Sequence, residues 1–153
     1  MRNFKLMTLG IFVIMASGCG STVLEHQLSS PDPVKSGYFE TREAKFNINF
    51  NKGQMESRYS ITLKVRRPLI AGGYVEVEFE NPQDKSNPVR VARPIGPQET
   101  VFTVESPVIY GRSQDTDYEV TAYLYKDASK IILLSTHRQM IRSLLQDASQ
   151  NFR

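Results

Sequence analysis

From Ala44 onward the apolar residues of this chain recur at every second position, and that periodicity restricts its possible folds more than any other feature. Phe46, Ile48 and Phe50 alternate with Asn47, Asn49 and Asn51; Tyr59, Ile61, Leu63 and Val65 with Ser60, Thr62, Lys64 and Arg66; Val75, Val77 and Phe79 with Glu76, Glu78 and Glu80. A period of two puts one set of side chains on each face of an extended strand, so the pattern predicts half-buried antiparallel strands. Four more strands are expected at Val89 to Ala92, Thr100 to Val104, Tyr118 to Tyr125 and from Lys130 to about Arg138. Chain breakers bound them: Asn87-Pro88, Pro94 with Gly96-Pro97, Pro107, Gly111, and Asp127-Ala128-Ser129. About seven short strands within roughly 100 residues predict an all-β fold, an antiparallel two-sheet β-sandwich over residues 44–142. Met140, Ile141, Leu144 and Leu145 fit a helical period, while Ser135 to Arg142 also suits a prolonged strand. The expectation is strand to about Ile141, then a frayed or helical tail over 143–153.

The segment Asp115-Thr116-Asp117-Tyr118-Glu119-Val120-Thr121-Ala122-Tyr123-Leu124-Tyr125 resembles the penultimate strand of fibronectin type III and immunoglobulin-like domains. In those families a tyrosine at the strand start ties the preceding corner through its hydroxyl. The resemblance implies an immunoglobulin-like sandwich, with Tyr118 in that role. It is short, and the chain has neither tryptophan nor a pair of cysteines to link the sheets. A transthyretin-like or other sandwich order therefore stays open.

A second constraint lies at the other end. Residues 1–18 carry Arg2 and Lys5, then an apolar run from about Leu6 to Met15, then the small residues Ala16, Ser17 and Gly18, which is the layout of an export signal. The apolar run covers only about half of the roughly 20 residues that a bilayer-spanning helix needs. The sole cysteine, Cys19, stands where cleavage is expected. Ala16-Ser17-Gly18-Cys19 resembles the lipobox of bacterial lipoproteins, with Ala16 where Leu is usual. The resemblance implies cleavage between Gly18 and Cys19, a diacylglycerol on the thiol and acylation of the new amine. Ordinary signal-peptidase cleavage and a free structural cysteine are the alternatives. Gly20 is not the Asp that retains lipoproteins in the inner membrane of enteric-type envelopes, so the resemblance implies an outer-membrane protein facing the periplasm. Residues 19–43 include Ser29, Ser30, Pro31, Asp32, Pro33, Ser36 and Gly37 without a sustained apolar period, and are expected to be the lipidated N-terminus and a tether. His26, within it, is expected to be solvated.

Within the domain the candidate sites are few. Leu69 and Ile70, in Pro68-Leu69-Ile70-Ala71-Gly72-Gly73, put apolar side chains in a connection that would ordinarily be polar. They either cap the open end of the sandwich or contact a partner or membrane. Tyr123 and Tyr125, with Tyr110, Arg90, Arg93 and Arg112, are candidates for an aromatic and basic contact patch. Glu76, Glu78 and Glu80 form a row along one strand face. The expectation is a solvated charge ladder, with Lys64 and Arg66 opposing the row if the strands at 57–66 and 74–80 pair as a hairpin; a functional acid row is the alternative. His137 has no second histidine or cysteine beside it for a zinc site, and no Gly-x-Ser-x-Gly elbow, phosphate-binding glycine loop or dinucleotide fingerprint occurs.

Charge narrows the partner class. Nineteen Lys and Arg oppose sixteen Asp and Glu, and without Arg2 and Lys5 the balance is 17 against 16, too even for a nucleic-acid surface. The expected protein is a non-catalytic envelope lipoprotein, held to a membrane by a covalent lipid on Cys19, needing no cofactor and docking an envelope protein as an accessory module. A lipoprotein subunit of a secretion or pilus assembly machine, and a periplasmic hydrolase or ligand-binding protein, are the alternatives.

Overall fold

The computed structural model describes residues 32–52 and 54–144. Cys19, Gly18 and the expected signal lie outside the described residues, as does the tail from 145. Among the described residues there are seven strands and no helix: β1 (Phe39–Asn51), β2 (Gln54–Val65), β3 (Gly73–Phe79), β4 (Val89–Ile95), β5 (Val101–Glu105), β6 (Asp117–Tyr125) and β7 (Leu133–Arg142). They build a three-stranded sheet, β1-β2-β5, and a four-stranded sheet, β4-β3-β6-β7, every pairing antiparallel. The expected all-β, antiparallel two-sheet β-sandwich of about seven strands is what the chain forms.

Alternation decides the packing. Tyr59, Ile61 and Leu63 of β2 and Phe102 and Val104 of β5 face Val75, Val77 and Phe79 of β3 and Val120, Ala122 and Leu124 of β6, all buried. The Tyr59 ring stacks on Phe79 with centroids 5.3 Å apart and lies 4.4 Å from Phe46, and its hydroxyl donates to Glu80 O at 2.8 Å. Aromatic pairs of this kind stabilise by about 0.5–1.5 kcal/mol beyond their burial. Burial, then the neighbouring Tyr118 and Glu80, hold the Tyr59 hydroxyl far above its ordinary pKa.

Two expectations about connectivity are corrected. β1 begins at Phe39, five residues before Ala44, and Phe39 is wholly buried. Residues 32–38 fold back along it: Lys35 bridges Glu40, and the Thr41 amide donates to Val34 O at 2.9 Å. The part of the expected tether from 32 to 43 is therefore built into the domain. β2 and β3 are not a hairpin; they lie in different sheets, so Lys64 and Arg66 do not oppose the glutamate row.

The strand directions sort the connections into two ends. The turn before β1, the β2–β3 loop, the β4–β5 loop and the β6–β7 hairpin share one end, called basal here. The β1–β2, β3–β4 and β5–β6 connections share the other.

Candidate functional site

The β2–β3 loop divides its two apolar residues. Leu69 O accepts from the Gly72 amide at 2.8 Å, and the chain leaves this turn through Gly72 at a positive φ of 77°. A side chain on Gly72 would put its Cβ 2.7 Å from Ile95 O, so only glycine lets the loop cross between sheets here. Leu69 turns inward and is 6% exposed, with its Cδ1 and that of Leu124 against Gly73. Ile70 turns outward and is 91% exposed. Leu69 is thus corrected from contact candidate to core cap, because the turn leaves it no exposed surface to offer; Ile70 remains a contact candidate.

The outer face of the four-stranded sheet brings three tyrosines together. Tyr74 and Tyr125 are direct cross-strand partners, and Tyr125 stacks against Tyr123 with centroids 6.5 Å apart and planes at 29°. The inward residues of β6 are Tyr118, Val120, Ala122 and Leu124, which leaves Tyr123 and Tyr125 half-buried on the outer side. Beside them the glutamate row finds its cations on other elements. Glu76 contacts Lys130 of the β6–β7 hairpin, and the same ammonium lies 5.9 Å from the Tyr74 ring centroid. Glu78 accepts from Arg90 Nε at 2.7 Å and from the Tyr123 hydroxyl at 3.3 Å. Glu80 pairs with Lys85 at 2.8 Å and accepts from the Glu119 amide at 3.0 Å. Burial and then the Glu78 carboxylate raise the Tyr123 pKa, keeping its hydroxyl protonated. The row is an ion-paired ladder, and among the described residues no group of three or more His, Cys, Asp and Glu could hold a metal ion.

The rest of the expected patch is dispersed. Arg93 lies over the Phe102 ring and bonds Glu99 at 2.7 Å; Arg112 lies 5.0 Å from the Phe46 centroid and donates to Ser143 Oγ at 2.7 Å. Burial lowers the Arg112 pKa. Both arginines brace the fold, and Tyr110 is exposed at the far end from Tyr125. Tyr118 accepts from the Ser113 amide at 2.7 Å, tying the corner before β6.

His137 and Gln139 point inward from β7. His137 Nε2 lies 2.8 Å from Thr41 Oγ1, Nδ1 has no partner among the described residues, and burial lowers the ring's pKa. Gln139 accepts from the Val34 amide at 3.0 Å and donates to Asp32 O at 3.4 Å, holding the lead-in against the seam between β1 and β7. Sequence reasoning missed Tyr74, Lys130, Gln139 and the exposed run Ile131 to Leu134. The one available signal was that run, where four apolar residues in succession break the alternation. Comparison with protein-family models, with curated proteins and with solved structures found no match to this chain.

Proposed function

We propose that this chain is a non-catalytic envelope lipoprotein, acylated on Cys19, whose sandwich docks a protein partner through the outer face of its four-stranded sheet. The observation that carries the docking surface is the Tyr74, Tyr125, Tyr123 ladder. Stiff aromatic side chains with a polar tip supply contact area at little entropic cost, and tyrosine and arginine are enriched among the residues that dominate interface energies. Beside the ladder Glu78 and Glu76 are already paired, with Arg90 and Lys130, so a partner need not neutralise either carboxylate. The lipid supports the same reading from the sequence side. A tethered domain meets partners at the membrane at an effective concentration of about a millimolar, which converts modest affinity into high occupancy.

The test has two arms. Metabolic labelling with palmitate should mark the chain and fail to mark Cys19→Ser. A photo-crosslinking amino acid in place of Tyr125 should then give a discrete protein adduct that the same probe at Thr103, exposed on the other sheet, does not give. An unlabelled wild type refutes the anchor. Identical adducts from positions 125 and 103, or none from 125, refute the docking face.

A further inference from the structure

We infer that the basal end of the sandwich rests on an anionic phospholipid surface, with Ile70 and Ile131 entering the headgroup region. Eight large apolar side chains are exposed among the described residues, and six of them, Ile70, Val101, Ile131, Ile132, Leu133 and Leu134, lie in or next to the basal connections. Among the described side chains the opposite end exposes one of these eight, Tyr110. Ile70 and Ile131 are 91% and 84% exposed, on separate loops flanking the start of β3, so the end presents two apolar tips rather than one stray side chain. An apolar set concentrated on one end of a domain marks a contact surface.

Charge selects the occupant. The basal connections and lead-in carry Lys35, Arg66, Arg67, Lys126 and Lys130 against Asp32, Glu99 and Asp127. The opposite connections carry three of each sign: Lys52, Lys85 and Arg112 against Glu80, Asp84 and Asp115. Arg67, whose guanidinium lies 5.7 Å from the Tyr38 ring centroid, and Lys126 make no ion pair with a carboxylate among the described residues, so both can meet an outside anion. Apolar tips ringed by Lys and Arg suit an interface where acyl chains begin beneath anionic headgroups.

The geometry agrees with an anchor at Cys19, and this inference rests on that part of the proposed function for its reach. Asp32 is held level with Gln139, which lies six residues along β7 from the basal Leu133, or about 20 Å. The thirteen steps from Cys19 to Asp32 span at most about 43 Å, enough to bring the basal end onto the bilayer that holds the lipid. In that pose the tyrosine ladder faces sideways, along the membrane plane.

Because the chain has no tryptophan, single substitutions report their own surroundings. Ile70→Trp, Ile131→Trp and Tyr110→Trp would each be prepared as the lipidated protein in vesicles of phosphatidylethanolamine and phosphatidylglycerol, some containing brominated acyl chains. Blue-shifted emission and bromine quenching are expected at 70 and 131, with water-like emission at 110. In the unlipidated Cys19→Ser chain, replacing both isoleucines by serine should weaken vesicle co-sedimentation about tenfold or more. Water-like emission at 70 and 131, or equal quenching at 110, overturns the inference while palmitate labelling independently reports the anchor. Quenching at 70 and 131 in a chain that takes up no palmitate removes the anchor and keeps the contact. A blue shift that appears without vesicles and grows with protein concentration assigns the end to a second copy and also overturns it.

Discussion

Replacing Leu69 by Ala, beside Ile70 by Ser, separates the two roles that one loop has divided between neighbours. Leu69 is 6% exposed, so truncation removes nearly fully buried surface; at about 0.8 kcal/mol per methylene, three carbons account for about 2.4 kcal/mol. Its backing is Gly73 and Leu124, held on β3 and β6, and paired strands cannot collapse to fill the gap. The residual cavity brings the loss to about 3 kcal/mol, within the range for buried Leu→Ala. For a domain of about 100 residues this lowers Tm by roughly 15 °C and the urea midpoint by about 2 M. Ile70→Ser, at a side chain 91% exposed, should stay within about 0.5 kcal/mol of wild type. Urea unfolding followed by tyrosine fluorescence and far-UV circular dichroism measures both. A Leu69→Ala loss under about 1 kcal/mol, or an Ile70→Ser loss above it, would show that the loop does not close the core as described.

Three further outcomes are expected. Tyr118→Phe removes the acceptor for the Ser113 amide and should cost about 1 kcal/mol, with faster amide exchange at Ser113 by NMR; unchanged exchange would discount the corner tie. Gly72→Ala, forced to φ 77° with its Cβ against Ile95 O, should cost about 2 kcal/mol or more, whereas Gly37→Ala, with only Ser135 Oγ at 4.0 Å, should be near neutral; similar values from thermal melts would contradict the strain at Gly72. Burial holds the His137 pKa below its ordinary 6.5, so the unfolded chain takes up a proton that the folded one resists; stability should be full above about pH 6.5 and fall as the pH drops below it. His137→Asn should flatten that dependence between pH 7.5 and 5, and an unchanged slope would remove His137 from the account.

Much of this fold was legible because the side-chain period of a strand is visible in the residues themselves. All seven strands could be placed, and the inward sets of β2, β3 and β6 follow directly from their alternation. The start of β1 was hidden by a register shift between Thr41 and Glu43: Phe39 and Thr41 face inward at odd positions, Ala44 and Phe46 at even ones, so the pattern breaks where the strand does not. Alternation assigns a face but not a neighbour. Glu76, Glu78 and Glu80 were correctly read as a charge ladder, yet their cations come from Lys130, Arg90 and Lys85, which only the β4-β3-β6 pairing and its loops bring close. The tyrosine ladder was half visible: Tyr123 and Tyr125 share a strand face, but Tyr74 joins them only through the β3–β6 register. His137 and Gln139 occupy inward positions with polar side chains, where a hydrophobic pattern offers no signal.

The lead-in held by Gln139 has a mechanical side. Because residues 32–38 double back on β1, a pull on the N-terminal side opens their few bonds one after another instead of loading them all together. Some seven residues would then run out, lengthening the leash by about 20 Å while Phe39 stays seated in the core. A protein strung between a bilayer and a moving neighbour would carry spare slack, released at low force and taken up again when the strain passes.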